Sequence, residues 1–315
     1  MLISQYGENE TDSIIDGFLK QRHITFRVNT LKTTTNEIEE VLNKENIEFY
    51  KTDVYENAYI LKENNLNKIE DLQIYKEGKI YLQSLSSMLP PLLLNPTENI
   101  DILDMCAAPG GKTTELAVLT NNKARITACE MNKIRLERLK YNIEKQGATS
   151  VYTMSVDARN LDNFFSFDSI LLDAPCSGSG TINANDEKLT KYFRQDLIQK
   201  SIKTQKALIN KAINILKPGG EMIYSTCSIL QCENEEIVNV ALKTGKVELV
   251  PINNEIKNLP LLPTKINGTL CIKPNELFEG FFVAKLRKIE KSVSRFRGKI
   301  DRFQPKYTQN WIVQV

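Results

Sequence analysis

Residues 99–116 read N-I-D-I-L-D-M-C-A-A-P-G-G-K-T-T-E-L, and this stretch decides the fold. A short apolar run, Ile102-Leu103, sits between Asp101 and Asp104. It breaks at Ala107-Ala108-Pro109-Gly110-Gly111 and turns helix-like from Thr113 through Leu119. A strand, a tight glycine turn and a helix start make the opening half of a βαβ unit. Glycines there let backbone approach a ligand closely, and the helix N-terminus offers free N–H groups to polar or anionic atoms.

Two readings compete for this turn. Gly111-Lys112-Thr113 looks like the end of a phosphate loop, G-x-x-x-x-G-K-[ST]. The first glycine of that loop falls at position 106, where the residue is Cys106. The pattern fails where the loop needs its turn. The second reading is a nucleoside-type turn, with an acidic residue about 20 positions on that binds ribose hydroxyls. Glu130 stands there, at the end of the strand-like run Arg125–Cys129. The second reading fits the spacing better.

Beyond the turn, strands and helices alternate. Lys133–Gln146 is helical, with Leu136, Leu139 and Ile143 on one face and Gly147 as its stop. Ser150–Val156 reads as a strand ending at Asp157, and Phe167–Leu172 as one ending at Asp173. Leu197–Leu216 is a long helix that Pro218-Gly219-Gly220 should stop, followed by a strand Glu221–Ser225 that ends at Thr226-Cys227. A helix at Asn234–Leu242 and strands at Val247–Val250 and Phe281–Leu286 complete the series. Such alternation implies an α/β fold with a largely parallel sheet covered on both faces.

Ahead of the turn the pattern differs. Residues 12–20 read as helix and Ile24–Asn29 as strand. Thr33–Asn46 is a capped helix with Ile38, Val41 and Leu42 on one face, and Ile47–Val54 and Ala58–Lys62 are strand-like. This makes a small α+β unit. Lys79–Leu94 is a lead-in helix interrupted by Pro90-Pro91.

Composition removes several classes of function. At 41% hydrophobic and 25% charged, the 315 residues form an ordinary globular chain, with no apolar run long enough to span a membrane. The first ten residues lack the basic start and apolar stretch of a secretory signal, so a cytoplasmic site is expected. The six cysteines form no C-x-x-C pair, which speaks against zinc and thioredoxin-type chemistry, and free thiols are expected. With His23 as the one histidine, Ser-His-Asp and Cys-His chemistry lack material. Net charge is +2, but residues 285–315 hold nine basic residues against two acids. That basic tail, interleaved with Phe296, Phe303, Tyr307 and Trp311, suits phosphate attraction and base stacking.

In open α/β sheets, ligands bind outside the C-terminal ends of the strands. Those ends carry Cys106-Ala107, Glu130, Asp157, Asp173-Ala174-Pro175-Cys176 and Thr226-Cys227. Acids and sulfurs collect at one rim. Cys129 and Cys271 read instead as buried, inert thiols, and Cys232 as a helix lead-in.

Together D-M-C-A-A-P-G-G-K-T, D-A-P-C-S-G-S-G and S-T-C-S-I resemble the Nol/Nop/Sun family of RNA cytosine-5 methyltransferases, which use S-adenosylmethionine. F-R-V-N-T-L-K at 26–32 and G-F-F-V-A-K-L at 280–286 extend the resemblance. Pro274-Asn275 stands where the family commonly has Pro-His. The resemblance implies a Rossmann-like class I methyltransferase with a mostly parallel seven-stranded sheet and a small N-terminal α+β domain. Its expected division is an RNA-binding-like module at 1–80, a methyltransferase domain at 81–290 and a basic tail at 291–315. Cys106, Ala107, Ala108, Pro109, Gly110, Gly111 and Lys112 would hold the methionine end of S-adenosyl-L-methionine. Glu130 would bind the ribose and Asp157 the adenine end, with Arg135 at the same pocket. Asp173 would lie near the methyl donor and hydrogen-bond the base. Cys227 would be the nucleophile, and Cys176 would assist removal of the C5 proton and product release. Spacing alone does not separate the two thiols. The implied partner is RNA, transfer or ribosomal, presenting a single-stranded or loop cytosine to a monomeric enzyme that uses no metal. The short build leans toward transfer RNA.

Overall fold

The computed structural model describes residues 1–184, 194–252 and 256–290; the tail expected at 291–315 lies outside the described residues. Its first four strands, β1 (Thr25–Val28), β2 (Phe49–Lys51), β3 (Ala58–Leu61) and β4 (Ile80–Leu82), pair antiparallel in the order β2-β3-β1-β4. The helix Thr35–Lys44 covers this sheet with Ile38 and Leu42, both fully buried. It begins where the sequence provides a capping box: Thr34 Oγ1 accepts from Glu37 N at 3.3 Å, and Glu37 Oε2 accepts from Thr34 N at 3.2 Å. Phe26 and Tyr59 stack across the sheet with ring centroids 5.4 Å apart. The strand expected over Ile47–Val54 is shorter than its apolar pattern, because only 49–51 find a partner in β3.

The second sheet carries β5 (Asp101–Asp104), β6 (Arg125–Cys129), β7 (Val151–Met154), β8 (Phe167–Asp173), β9 (Leu216–Thr226), β10 (Val247–Val250), β11 (Leu270–Ile272) and β12 (Phe281–Lys288). Its order is β10-β12-β9-β8-β5-β6-β7, with β11 paired beside β10 on the same edge of β12. β5 through β9 are parallel neighbours, whereas β12 runs antiparallel to β9 and β10. This is a Rossmann-like arrangement of seven strands in line plus one short extra strand. Strand order reverses at β5, so the connections leaving β5 and β8 diverge to opposite faces. They open a crevice at the C-terminal ends.

Helices cover both faces. Lys133–Gln146 starts on Asn132, whose side chain accepts from Arg135 N, and stops at left-handed Gly147 with φ 68°. Gln195–Ile215 packs Ile198, Leu208, Ile209 and Ile213 inward. Each such side chain contributes about 1.5–3 kcal/mol on burial. The helix Glu8–Leu19 sends Ile14 and Phe18 into the core beneath the large sheet, among Tyr224 and Phe282, and not into the small sheet's core.

Two local expectations are corrected. Pro218-Gly219-Gly220 does not stop the long helix, which ends at Ile215; Leu216 already pairs with Phe167. Pairing then jumps to Ser169–Glu221, and the extra residues bulge outward. Gly220 passes so close to β8 that a Cβ there would lie 2.6 Å from the Asp168 carbonyl oxygen. Pro90 and Pro91 do not interrupt their helix, Leu85–Leu94. Pro91 cannot donate to the Ser87 carbonyl, and Gln83 Nε2 does so instead at 3.1 Å.

The two sheets meet through the F-R-V-N-T-L-K stretch. Arg27, fully buried, donates from Nε to Gln83 Oε1 at 2.9 Å and from Nη2 to the Gly111 carbonyl at 3.0 Å and Thr114 Oγ1 at 2.8 Å. Asn29 Nδ2 reaches the Gln146 carbonyl at 2.7 Å, and Lys32 Nζ reaches that of Lys145 at 2.7 Å. The small domain thereby grips the helix that follows the glycine turn and the C-terminus of the next helix.

Candidate active site

The glycine turn is built on Asp104, the last residue of β5. Its Oδ2 accepts from Thr113 Oγ1 at 2.7 Å, and its Oδ1 from Cys106 N at 3.3 Å. Burial raises the Asp104 pKa to about 6 against those hydrogen bonds. Gly110 adopts φ 112° and caps the helix Gly111–Leu119. A side chain there would be strained, and its Cβ would meet Leu139 Cδ1 at 3.0 Å.

Two cavities flank this turn. The larger, about 530 Å³, is lined by Cys106, Ala108, Glu130, Arg135, Asp157, Asp173, Cys176 and Cys227, with Met131, Arg159 and Thr204 at its walls. The smaller, about 210 Å³, lies toward β4 and is lined by Ala107, Pro109, Gly111, Lys112, Gln83 and Ser87. Cys106, Ala108 and Asp173 border both. Of the residues the resemblance assigns to cofactor or base, Gly110 alone lines neither; its part is to shape the turn.

The acids at the strand ends are held in place. Glu130 Oε1 accepts from Asn132 N at 2.8 Å, and its Oε2 lies 3.3 Å from Arg135 Nη1. Arg135 Nη2 also donates to the Ala108 carbonyl at 2.7 Å, which ties Glu130 to the turn. Asp157 accepts from Arg159 through both backbone and guanidinium, and these hydrogen bonds lower its pKa against a smaller effect of burial. Asp173 Oδ1 accepts from Ser225 Oγ at 2.8 Å, and Oδ2 pairs with Lys112 Nζ at 2.8 Å. Lys112 also donates to Ser87 Oγ at 2.7 Å and lies 5.4 Å from the Phe281 ring centre. Burial lowers the Lys112 pKa, but the Asp173 carboxylate, together with Cys227 and Asp104, outweighs it, and the net shift is upward. The lysine is a fixed cation in the wall of the smaller cavity.

Cys176 Sγ and Cys227 Sγ lie 3.1 Å apart, although 51 residues separate them in the chain. Both are half-buried and both line the larger cavity. The hydrogen bond between the sulfurs, then burial, pushes the Cys176 thiol well above the ordinary thiol range. Cys129 and Cys271 are buried in the core, and burial raises each thiol to about 12, as suits inert packing. His23 stays outside the site, with Nδ1 3.2 Å from the Leu61 carbonyl.

Sequence reading missed the groups that hold the two sulfurs together. Gly180 N donates to the Cys227 carbonyl at 3.0 Å, and Gly280 N donates to that of Gly180 at 2.9 Å. A Cβ on Gly180 would lie 1.9 Å from the Gly280 oxygen. Ser179 and Ser228 hydroxyls bond at 2.8 Å. Glu233 accepts from Ser177 and Ser228, the residues that follow the two cysteines. From the N-terminal helix, Gln5 donates to the Ile229 carbonyl at 2.8 Å and accepts from Gln231 N at 3.1 Å, while Tyr6 Oη donates to Ile229 at 2.7 Å. No periodicity marks these residues; an acid inside Cys232-Glu233-Asn234-Glu235-Glu236 looks locally like its neighbours.

Among the described residues no helix is long and apolar enough to cross a membrane. Residues 91–287 match the family model described as 16S rRNA methyltransferase RsmB/F, and residues 1–66 match an RsmF/B-like ferredoxin-like domain. The ribosomal RNA small subunit methyltransferase F of Shewanella loihica is 34% identical over 289 residues, which are 88% of this chain and 59% of that protein. The mouse 28S rRNA (cytosine-C(5))-methyltransferase is 34% identical over 285 residues, 86% of this chain and 36% of that protein. The chain thus spans about six-tenths of the length of the bacterial relative and about a third of the mouse one. A methyltransferase homologue from Pyrococcus horikoshii, 33% identical, superposes with a TM-score of 0.78 over 90% of this chain and 92% of that one. NSun6 from Pyrococcus horikoshii, solved with SFG, shares the fold with a TM-score of 0.80 at 24% identity, over 91% of this chain and 96% of that one. By its two matched domains and these relatives, the chain belongs to the RsmB/F family of rRNA methyltransferases.

Proposed function

We propose that this chain transfers a methyl group from S-adenosylmethionine to C5 of a cytosine in RNA, with Cys227 as the nucleophile. The observation that carries the reading is the 3.1 Å approach of Cys176 and Cys227 in a cavity that Asp173 and the glycine turn also line. The residues fit the cofactor. The cavity of about 530 Å³ has the volume of a small-molecule pocket. Glu130, anchored by Asn132 N and Arg135, is placed at a strand end for ribose hydroxyls, and Asp157 stands at the next strand end for the adenine edge. Cys106 to Lys112 would take the methionine end, where helix N–H groups are free. When bound, the cofactor supplies an electrophilic methyl group on a cationic sulfur.

Cytosine C5 is a poor nucleophile. Adding the Cys227 thiolate to C6 forms an S–C6 bond and makes C5 enamine-like, able to take the methyl group. An isolated thiol, with a pKa of about 8.5, is only a few per cent ionised at neutral pH. Cys176 Sγ, 3.1 Å from the Cys227 sulfur, is placed to donate a hydrogen bond to it during the attack. Once Cys227 is bonded to carbon, that hydrogen bond is gone, and so is the largest influence holding the proton on Cys176. Cys176 then loses its proton to water and takes the C5 proton. The C5–H pair reforms the ring double bond, and Cys227 leaves as thiolate. Asp173, oriented by Lys112 and Ser225, accepts from the N4 amino group.

The target base reaches this pocket only outside its stack, so single-stranded or loop RNA is the substrate form. The names of the relatives favour ribosomal RNA over transfer RNA. Residues 1–80 and the basic tail supply RNA contacts in this reading, and 81–290 the chemistry. Two variants test it. Cys227→Ala abolishes methyl transfer with cofactor binding intact, and Cys176→Ala accumulates a protein–RNA adduct that survives a denaturing gel. Swapped phenotypes overturn the roles given to the sulfurs. Bisulfite sequencing with and without the gene identifies the RNA.

A further inference from the structure

Glu233 has no exposure to solvent and no part in the chemistry above. It lies in the short turn Gln231–Glu233, just beyond the segment that carries Cys227. Its Oε1 accepts from Ser177 N at 2.8 Å, and its Oε2 accepts from Ser177 Oγ at 2.5 Å and Ser228 Oγ at 2.6 Å. Ser177 follows Cys176 and Ser228 follows Cys227. One carboxylate therefore holds the residue next to each sulfur. Its own carbonyl accepts from Tyr224 Oη at 2.6 Å, which fixes the clamp to β9.

All three donors are neutral: an amide N–H and two hydroxyls. A neutral acceptor could serve them without the several kcal/mol that burying an ion costs. A carboxylate adds charge, and the titratable sulfurs it acts on are Cys176 and Cys232, of which Cys176 lines the larger cavity. Cys227 and Glu233 push the Cys176 thiol up and a backbone hydrogen bond from Gly178 pulls it down, while Tyr224 sits beside Cys176 and Glu233, with Asp173 and Cys232 also near that phenol.

We propose that Glu233 is a positioning residue: its buried carboxylate holds the residues that follow Cys176 and Cys227, fixes the approach of the two sulfurs and sets an acid group behind Cys176. This rests on the methyltransferase reading for its purpose, but its physical content concerns the thiols alone. Negative charge near Cys176 opposes a second anion, as does the hydrogen bond between the sulfurs.

The test uses the full chain without RNA or cofactor. Iodoacetamide alkylation of Cys176 and Cys227 is followed residue by residue by mass spectrometry from about pH 6 to about pH 10. Phenylarsine oxide, which needs two adjacent sulfurs, reports their separation. Glu233→Gln keeps an acceptor for the serines and removes the charge. Cys176 in this variant should alkylate about tenfold faster at about pH 8, with arsenical binding retained. Glu233→Ala should lose arsenical affinity at least about tenfold as the two turns separate. In both variants kcat for methyl transfer falls while KM for RNA stays; Glu233→Asp restores the Cys176 profile but not arsenical affinity. Unchanged Cys176 alkylation in Glu233→Gln overturns the proposal, and so does full arsenical affinity in Glu233→Ala. Should Glu233→Ala not fold, the double variant Ser177→Ala/Ser228→Ala makes the same measurement. A wild-type protein that shows the expected thiol behaviour yet methylates no RNA retires the methyltransferase reading and leaves the clamp standing.

Discussion

Replacing Arg27 with methionine should destabilise the protein by an amount that grows with pH, and the structure gives the size. Arg27 Nε lies 3.9 Å from Glu115 Oε2, and neither side chain reaches solvent. Glu115 Oε2 also accepts from Gln83 Nε2 at 2.9 Å, while Glu115 Oε1 and Arg27 Nη1 have no hydrogen-bond partner among the described residues. Burial raises the Glu115 pKa from 4.5 to about 8, against the pull of Arg27 and Gln83. Between 4.5 and about 8 the native state therefore holds a proton that the unfolded chain has lost, so stability falls as pH rises through that window and levels off above it. Arg27→Met removes the cation and pushes the Glu115 pKa higher still. At about pH 6 Glu115 is neutral in both proteins, and the variant loses only the hydrogen bonds to Gln83, Gly111 and Thr114. Orphaned acceptors of this kind cost ~2–4 kcal/mol together. Above about pH 8 the wild type has levelled off while the variant keeps losing ~1.4 kcal/mol per pH unit. At about pH 9.5 the deficit therefore grows by a further ~2 kcal/mol. Urea unfolding of both proteins at the two pH values measures the difference directly. An equal deficit at both would mean that Glu115 is already ionised beside Arg27, and the reasoning would fail.

Other perturbations read out separate parts of the structure. Gly180→Ala puts a Cβ 1.9 Å from the Gly280 carbonyl oxygen, so it should cost at least ~1–3 kcal/mol in thermal unfolding and shift the Cys227 carbonyl that Gly180 N holds. Methyl transfer should fall with it, while cofactor binding, measured by calorimetry, changes little. Thr34→Ala removes the capping box of the helix Thr35–Lys44 and should cost ~1 kcal/mol in urea unfolding, with no effect on chemistry. Gln5→Ala releases two bonds to the turn after Cys227; adduct formation in a Cys176→Ala background should slow several-fold while RNA binding holds.

The site's outline was legible because the chemistry sits where strands end. Asp104, Glu130, Asp157 and Asp173 each close an apolar run, and a parallel sheet sends all such ends to one rim. The same strand ends brought Cys176 and Cys227 to that rim, but their separate roles were legible only through family resemblance, since the spacing between them carries no period. What stayed hidden depends on contacts between distant segments. Glu233 acquires its task only when the loops carrying Ser177 and Ser228 close over it. The apolar face of Glu8–Leu19 announces a buried helix without saying which core receives it, and Ile14 and Phe18 go to the large one. Pro90 and Pro91 read as a break because the remedy, the Gln83 side chain, lies on the residue before the helix cap. Pro218-Gly219-Gly220 read as a stop because a bulge and a loop share the same residues.

The grip of Gln5 on the Ile229 carbonyl joins residues 224 positions apart. On a translating ribosome the helices Leu2–Tyr6 and Glu8–Leu19 must therefore wait for the segment that carries Cys227. At about 5–20 residues per second the delay is roughly 10–45 s. Until then Ile14 and Phe18 lack the core that covers them, and the nascent chain shows an oily stripe to chaperones. The cysteine-bearing turn is thus seated late in biosynthesis, by a segment made 224 residues before it.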